Sequence, residues 1–424
     1  MTWRRSTARR RGWSSGRDAA ARCMRLMSPS LAGHRSMGRL MVRSWLPAHV
    51  VAAGLTAAAC GGNGNPVQLG GPTPMTAVAV SAGSDHTCAI APGGVLYCWG
   101  KNLSGELGDS TTTQRERPVR VTGGLRLATV RVGYDNTCGV TVDGTAYCWG
   151  GNLDGRLGDS TDTSRTSPVL VRGRLTFVTV SSAFFHTCGL TTAGAAYCWG
   201  YGNAGQLGDG TLTPHTSWMP TPVAGALSFG SVSTLNFHNC GVTVGNAAYC
   251  WGSNIHGAVG DGTTNYAQSP VAVVGGLRFA SVTAGGFHSC GVTTDGTAYC
   301  WGLNDAGQLG NATTTTRSSP VPVSGGHRFS ALSAGGEHTC GVTTTGTALC
   351  WGSAYGGELG GPGSGQTTPA PVSGGLRFAS LSAGWGHTCG VTVTGALYCW
   401  GSNASGQVGD GSTADRSEPV PVVQ

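Results

Sequence analysis

Cysteine and histidine recur through this chain at fixed spacings, and both residue types can bind metals or take part in redox chemistry. Fourteen of the 16 cysteines form Cys-x9-Cys pairs, and Trp-Gly follows the second cysteine of every pair. The seven pairs are Cys88 and Cys98, Cys138 and Cys148, Cys188 and Cys198, Cys240 and Cys250, Cys290 and Cys300, Cys340 and Cys350, and Cys389 and Cys399. Because this spacing is far from that of common zinc motifs, it favours disulfides over metal binding.

Each cysteine pair can lie symmetrically about a tight turn, as Cys138 and Cys148 do about Asp143. Opposed residues of an antiparallel hairpin have Cα atoms about 4.5–5.5 Å apart, which is within disulfide range. The two remaining cysteines, Cys23 and Cys60, precede the repeats, so the repeats contain no odd thiol, as expected in an oxidising compartment. The alternative is a set of free thiols that pack as small apolar residues.

A histidine stands two residues before the first cysteine in six copies, and Asn136 replaces it in the second copy. Because Asn can replace His as a hydrogen-bond donor but is a poor metal ligand, we interpret this position as structural. A loop aspartate, such as Asp109, gives one carboxylate per loop, which suits a turn better than calcium. The sequence contains no phosphate-binding loop and no nucleophile elbow, and we predict no metal, no cofactor and no catalytic residue.

The elements that hold these residues are short strands. In residues 276–325, alternating apolar and polar side chains predict a strand at 277–283, a hairpin at 288–301 and a proline-bearing edge strand at 319–323. Four strands in each of seven copies predict an all-β fold, a seven-bladed β-propeller of about fifty residues per blade over residues 76–424. We expect the N- and C-terminal strands to close the ring, and whether they share one blade stays open.

The repeated motifs resemble a known family. They are Gly-x-x-His-Thr-Cys-Gly-Val, Gly-x-x-Tyr-Cys-Trp-Gly and Asn-x-x-Gly-x-Leu-Gly-Asp, and they resemble the repeat of the regulator of chromosome condensation family over roughly four fifths of the chain. The resemblance implies a seven-bladed propeller with partner contacts on the loops of one face. It also implies several possible activities, namely nucleotide exchange on a small GTPase, protein inhibition and scaffolding. The chain departs from the family in having no long wedge-like insertion and no basic face.

The two residues before the histidine position change from copy to copy while the frame stays fixed. They fall at one loop level, so we expect them to crowd one face of the ring and to form a contact surface. The alternative is that some of the aromatics fill gaps between blades. The candidates are Asp85, Tyr134, Asp135, Phe184, Phe185, Phe237, Phe287, Glu337 and Trp385. The fourth copy also carries an enlarged insertion at 213–222, in which Trp218 is a second candidate.

Charge and hydropathy set the first residues apart. Residues 1–60 hold 11 of the 26 Lys and Arg residues and one of the 19 Asp and Glu residues, which leaves the repeats with 15 and 18 and a net charge of −3. This charge argues against nucleic acid as a partner. We predict an unstructured segment or an incorrect start at 1–36, a signal peptide at 37–59 and a flexible tether at 60–75. The junction resembles a bacterial lipoprotein signal with Cys60 as the lipidated residue, and cleavage without lipidation is the alternative.

These observations predict an exported, non-catalytic and monomeric scaffold, lipid-anchored to the cell envelope or secreted, that binds an unidentified envelope or extracellular protein or glycan. One alternative is a nucleotide-exchange regulator, which requires a cytosolic chain with reduced cysteines. Another alternative is a polysaccharide-acting enzyme. It requires converging acids, for which Asp85, Asp135 and Glu337 are the obvious set.

Overall fold

The computed structural model describes residues 73–211 and 213–424, which form seven antiparallel sheets of four strands each. Every sheet is built from four consecutive strands, so the predicted seven-bladed propeller is confirmed and no blade is shared between the two termini. The predicted signal peptide, Cys60 and most of the predicted tether lie outside the described residues.

The strands are four to seven residues long. Blades 1 and 2 contain β1 (Ala79–Ala82), β2 (His86–Ile90), β3 (Leu96–Gly100) and β4 (Arg115–Arg120), then β5 (Leu127–Val132), β6 (Asn136–Thr141), β7 (Ala146–Gly150) and β8 (Arg165–Leu170). Blades 3 and 4 contain β9 (Phe177–Ser182), β10 (His186–Thr191), β11 (Ala196–Tyr201) and β12 (Thr216–Pro222), then β13 (Phe229–Thr234), β14 (His238–Thr243), β15 (Ala248–Gly252) and β16 (Ala267–Ala272). Blades 5 and 6 contain β17 (Phe279–Ala284), β18 (His288–Thr293), β19 (Ala298–Gly302) and β20 (Arg317–Pro322), then β21 (Phe329–Ala334), β22 (His338–Thr343), β23 (Ala348–Gly352) and β24 (Gln366–Pro371). Blade 7 contains β25 (Phe378–Ala383), β26 (His387–Thr392), β27 (Leu397–Gly401) and β28 (Arg416–Pro421), and short 3-10 turns occupy Thr122–Gly124 and Ser373–Gly375.

The ring closes where the described chain enters and leaves it. The first strand of each blade packs against the first strand of the next, and β25 of blade 7 packs against β1 of blade 1. The backbone of Met75 also joins blade 7, because its N–H donates to Val422 at 2.7 Å and its carbonyl accepts from Leu397 at 2.9 Å. The expected closure by the two terminal segments is therefore confirmed, with each segment hydrogen-bonded to the other.

A disulfide joins the two strands of the middle hairpin in every blade. Residues such as Cys340 and Cys350 lie directly opposite each other in the strand register, with Cα atoms 4.1 Å apart. All fourteen cysteines of the described residues are joined in this way, which confirms the predicted disulfides. Seven disulfides indicate an oxidising environment, because thiols of cytosolic proteins are normally kept reduced.

A buried polar chain links each blade to the next, and blades 5 and 6 show it clearly. His288 Nε2 lies 2.8 Å from the Thr339 hydroxyl, which in turn donates to the carbonyl of Gln308 at 2.9 Å. Trp351 Nε1 donates to the same carbonyl at 2.9 Å. Because the hydroxyl proton is directed to Gln308, His288 must donate through Nε2.

Equivalent bonds from histidine to the following blade occur at all six histidines of this position. Burial lowers the pKa of His86, His288 and His387 to about 3 and that of His186 and His238 to about 4. The repeated histidines therefore act as neutral hydrogen-bond donors between blades, as the structural interpretation expected. The repeated tryptophans are fully buried between blades, and each indole N–H donates to a backbone carbonyl of the preceding blade.

Two sequence-based placements need adjustment. The enlarged insertion at 213–222 belongs to blade 3, where most of it forms the outer strand β12, and not to the fourth copy. Its Trp218 packs against Gly155 of blade 2, so this side chain lies at the outer rim between two blades. The predicted edge strand at 319–323 begins two residues earlier, at Arg317, because the strand pairing extends to Gly302.

Candidate contact surface

The variable pairs lie at one end of the blades, at the start of the second strand and opposite the hairpin turns. Backbone hydrogen bonds join neighbouring pairs around the central channel, as from Gly336 N to the carbonyl of Gly384 at 3.1 Å and from Trp385 N to that of Gly83 at 2.8 Å. The glycine at the end of each third strand faces a variable pair and cannot be replaced by a larger residue. A Cβ on Gly352 (φ +103°), for example, would lie 2.5 Å from the carbonyl oxygen of Glu337. The backbone thus fixes the level at which all seven pairs stand.

An aromatic cluster crosses the mouth of the channel at this end. Tyr134 of blade 2 stacks on Phe184 of blade 3 with ring centroids 4.1 Å apart, and Phe184 contacts Trp385 of blade 7 at 5.0 Å. Beside them, Phe185 stacks on Phe237 of blade 4 at 5.3 Å. Because blades 3 and 7 are not neighbours in the ring, the contact between Phe184 and Trp385 spans the channel mouth. We call the end of the propeller that carries these residues the aromatic face.

The members of the cluster differ in accessibility. Phe184 is only 6% exposed, so it supports its neighbours and offers little surface of its own. Tyr134, Phe185, Phe237, Phe287 and Trp385 are half-buried, with one side packed and the other open. Aromatic residues in this half-packed state combine a rigid position with a large contact area. Both expected roles, gap filling and surface contact, therefore occur within one cluster.

The acidic candidates are held in different ways. Asp135 accepts a hydrogen bond from the buried guanidinium of Arg156 at 2.5 Å, and Arg156 also bonds Asp154 and the carbonyl of Phe184. Asp85 accepts from the Ser84 hydroxyl at 3.1 Å. These contacts fix the two aspartates in the rim of the aromatic face.

Glu337 is exposed and belongs to a different charge group. Although the side chain is exposed as a whole, partial desolvation of its carboxyl, followed by the charges of Glu358 and Asp305, raises the pKa of Glu337 above its usual range. Its strongest acidic neighbours are therefore in blades 5 and 6, while Asp135 is paired with Arg156 in blade 2. Asp85, Asp135 and Glu337, the acids that the enzyme alternative requires to converge, therefore each have different partners.

The loop aspartates participate in turns. Burial alone would raise the pKa of Asp109, but hydrogen bonds from Thr111 and Arg115 outweigh it and hold the pKa below its usual range. Asn102 completes this loop by bonding the same carboxylate at 3.2 Å. Within residues 73–211 and 213–424, no group of three or more His, Cys, Asp and Glu side chains is arranged to hold a metal ion.

A second set of surface residues was missed by the sequence reasoning. The loop after each third strand places one residue outward on the aromatic face, and in four blades this residue is large and apolar. These residues are Leu103 (74% exposed), Leu153 (77%), Ile255 (46%) and Tyr355 (95%). The signal was present in the sequence, because each follows the loop position that is usually Asn and each stands among polar and glycine residues. They extend the aromatic face outward from the channel.

The fold and this face define a repeat β-propeller, a rigid ring that presents non-repeating loops at one end. The chain belongs to the family of the Regulator of chromosome condensation (RCC1) repeat. Models of this repeat match residues 143–190, 193–238, 246–292, 295–342 and 394–424 in one form, and 77–106, 128–156, 177–206, 279–308, 329–357 and 378–407 in a second form. Among curated protein sequences, none matches the chain significantly.

Solved structures share the fold at low sequence identity. Human WBSCR16 aligns with 22% identity and a TM-score of 0.71, covering 78% of this chain and 94% of that one. Prp20p from Saccharomyces cerevisiae, studied for its binding to Gsp1p and histones, aligns with 18% identity and a TM-score of 0.68, covering 83% and 88%. The ectodomain of the Physcomitrella patens receptor kinase CR4 aligns with 25% identity and a TM-score of 0.51, covering 78% and 74%. Among the residues that the structure describes, no helix has the length and apolar character needed to span a membrane.

Proposed function

We propose that this protein is an exported, non-catalytic binding platform of the cell envelope that holds a protein or glycan partner on its aromatic face. The observation that carries the proposal is the aromatic cluster across the channel mouth. The frame repeats seven times, yet this cluster does not repeat, and packing within the ring does not require its open surfaces. The outward Leu103, Leu153 and Tyr355 add apolar area to the same end.

Export and anchoring are the second part of the proposal. Seven disulfides suit a chain that folds outside the cytosol, and this same chemistry argues against a cytosolic nucleotide-exchange factor. The CR4 ectodomain is an example of a similar propeller in a receptor ectodomain. The described chain enters the propeller at Met75, beside Gly395 in the turn of the last hairpin and at the opposite end of blade 7 from Trp385. An anchor upstream of residue 73 would thus be connected to the end opposite the aromatic face.

The partner experiment compares two triple variants of the mature chain. The first replaces Phe185, Phe237 and Trp385 with Ala on the aromatic face. The matched control replaces Val142, Val244 and Val393, which are 76%, 72% and 62% exposed on hairpin turns at the other end. We expect the first variant to lose capture of its partner from envelope extract and the control to retain it. Both should remain folded by circular dichroism.

The only lysine of the chain gives an independent readout. Lys101 Nζ lies 5.0 Å from the centre of the Tyr134 ring, at the edge of the cluster. Partner binding should slow acetylation of Lys101, measured by mass spectrometry, while the control variant behaves as the parent protein. Equal capture by the aromatic-face variant, together with an unchanged acetylation rate on binding, would place the partner elsewhere and refute the proposed face.

A further inference from the structure

One loop position on the aromatic face carries a long side chain in every blade except blade 4. It is the residue before the buried Leu or Val of the loop that follows each third strand, and in six blades it carries a long polar side chain. These buried side chains are Glu106, Arg156, Gln206, Gln308, Glu358 and Gln407. In blade 4 the position is Ala258, which has no side chain beyond Cβ. The frame around it is otherwise retained, since Gly257 N still bonds the carbonyl of Asn254 at 2.9 Å.

The long side chains satisfy a backbone donor of their own loop. Gln206, Gln308 and Gln407 each accept from the N–H two residues earlier, at 2.8, 3.0 and 2.9 Å. Glu106 accepts in the same way from Ser104 N at 2.7 Å. The corresponding donor in blade 4 is His256 N, and Ala258 cannot supply the acceptor. Blade 4 therefore lacks the side-chain oxygen that five other blades provide.

In blade 6 the residue that corresponds to Ala258 is Glu358, and its hydrogen bonds show which donors surround this position. Glu358 receives the Ser353 hydroxyl at 2.8 Å on one carboxylate oxygen and Gly356 N at 2.7 Å on the other. Blade 4 has the corresponding pair of donors, because Ser253 and His256 occupy the positions of Ser353 and Gly356. Both donor residues remain, and the side chain that would occupy the space between them is missing.

A pocket occupies the vacated place. It is lined by Phe237, Ser253, Ile255, His256, Ala258 and Phe287, among others, and it is small and open to solvent at its mouth, with a volume of about 10 Å³. Its walls are firm, since the His256 imidazole packs edge-on against the Phe287 ring at 5.4 Å. Its aromatic and apolar rim and the two donor residues in its lining suit a small planar oxygen acceptor whose apolar stem lies at the open mouth.

We infer that the pocket beside Ala258 binds the carboxyl or carboxamide head of a Glu- or Gln-like side chain, presented by the partner in place of the residue that blade 4 lacks. The occupant accepts hydrogen bonds from the Ser253 hydroxyl and His256 N, as Glu358 does from the equivalent groups of blade 6. This subsite deepens the proposed function and rests on it for its biological use. Its chemistry, however, can be tested with small probes and without any partner.

The probes are propionate and propionamide, which reproduce the Glu and Gln side chains from Cβ outward, with 1-propanol as the control for the stem alone. Binding to the full mature chain is followed by ligand-observed NMR and by the shift in Tm. For so small a ligand we expect a Kd on the order of 1–10 mM for propionate, for propionamide or for both, and no detectable binding of 1-propanol. A preference for propionate indicates a Glu-like group, and a preference for propionamide indicates a Gln-like group.

Two variants make the assignment specific. Ala258→Gln should fill the pocket from within and weaken probe binding at least about tenfold. Glu358→Ala should vacate the equivalent place in blade 6, where Ser353 and Gly356 N remain, and raise the number of bound probes from one to two. If Glu358→Ala lowers the Tm, recovery of the Tm on addition of the probe equally indicates binding at the vacated place in blade 6. The inference is overturned if neither probe binds the parent chain, or if binding survives Ala258→Gln unchanged.

Discussion

Removing the Thr339 hydroxyl tests the polar chain that joins the blades. Thr339→Val keeps the shape of the side chain but deletes the group that lies between His288 Nε2 at 2.8 Å and the Gln308 carbonyl at 2.9 Å. The Gln308 carbonyl keeps its bond from Trp351 Nε1, so it remains satisfied. His288 instead becomes a fully buried donor without an acceptor, on a ring whose Nδ1 already has no partner in the described structure.

The expected loss follows from that imbalance. A buried polar group left unpaired costs about 1–3 kcal/mol, and the second hydrogen bond adds about 1 kcal/mol, so we expect Thr339→Val to destabilise the propeller by about 2–4 kcal/mol. For a chain of about 350 ordered residues, an unfolding entropy of roughly 2 cal/mol/K per residue converts this to a Tm decrease of about 3–6 °C. Thermal unfolding of the oxidised protein at pH 7, followed by circular dichroism, measures it.

A double-mutant cycle separates this bond from general packing. Blade 2 already carries Asn136 at the histidine position, so His288→Asn is a replacement that the fold accommodates elsewhere. In the His288→Asn background, Thr339→Val should cost about 1–2 kcal/mol less, because the stranded donor is gone. Thr344→Val, at an exposed position, serves as the control and should leave Tm unchanged. A Tm decrease below about 1 °C for Thr339→Val, or additive effects of the two changes, would refute the reasoning.

Two further predictions concern acid and anchoring. Burial lowers the pKa of His288 to about 3, so below pH 6.5 the unfolded chain binds a proton that the folded chain does not bind. The free energy of unfolding should therefore be constant above pH 6.5 and fall as the pH decreases toward 4, by about 1.4 kcal/mol per pH unit for each such histidine, and Tm should fall with it. His288→Asn should reduce that slope, and a Tm constant from pH 7 to 4.5 would contradict it. Cys60→Ser should release the protein from the membrane fraction and abolish incorporation of a labelled fatty acid, whereas Cys23→Ser should do neither; membrane association that persists in Cys60→Ser would exclude the proposed anchor.

Repetition made most of the fold predictable from sequence. The pairing of Cys290 with Cys300 and the hairpin between them follow from local spacing, because the two strands are joined by a tight turn. The edge strand was also found, with its start two residues late, since prolines limit but do not define where pairing ends. The inter-blade bond from His288 to Thr339 joins residues 51 positions apart. Its existence could be anticipated from the repeated position, but its partner depends on how one blade stacks on the next.

The sequence predicted that the residues of the aromatic face lie at one loop level, but it did not predict which of their side chains are in contact. Sequence reasoning placed Phe184 and Trp385 at the same loop level, but no local pattern shows that side chains from blades 3 and 7 meet at 5.0 Å. That contact depends on the radius of the ring and on Gly336, since a Cβ there would lie 3.0 Å from the Trp385 ring. Ala258 was readable in principle, because aligning the copies shows one short residue among six long ones. Its consequence, a pocket, required the side chains around it.

The uneven distribution of residues on the aromatic face bears on how the proposed partner would be oriented. Tyr134, Phe185 and Phe237 gather over blades 2 to 4, whereas Gly286 and Gly336 occupy the same level in blades 5 and 6 and the acidic Glu337 lies beside them. A seven-fold ring with identical loops would bind a partner in seven equivalent orientations. Here the seven variable pairs all differ, so a partner of the proposed kind should bind in one orientation and as a single copy. Cross-linking from Lys101 to one partner residue, instead of to several, is the result that this asymmetry requires.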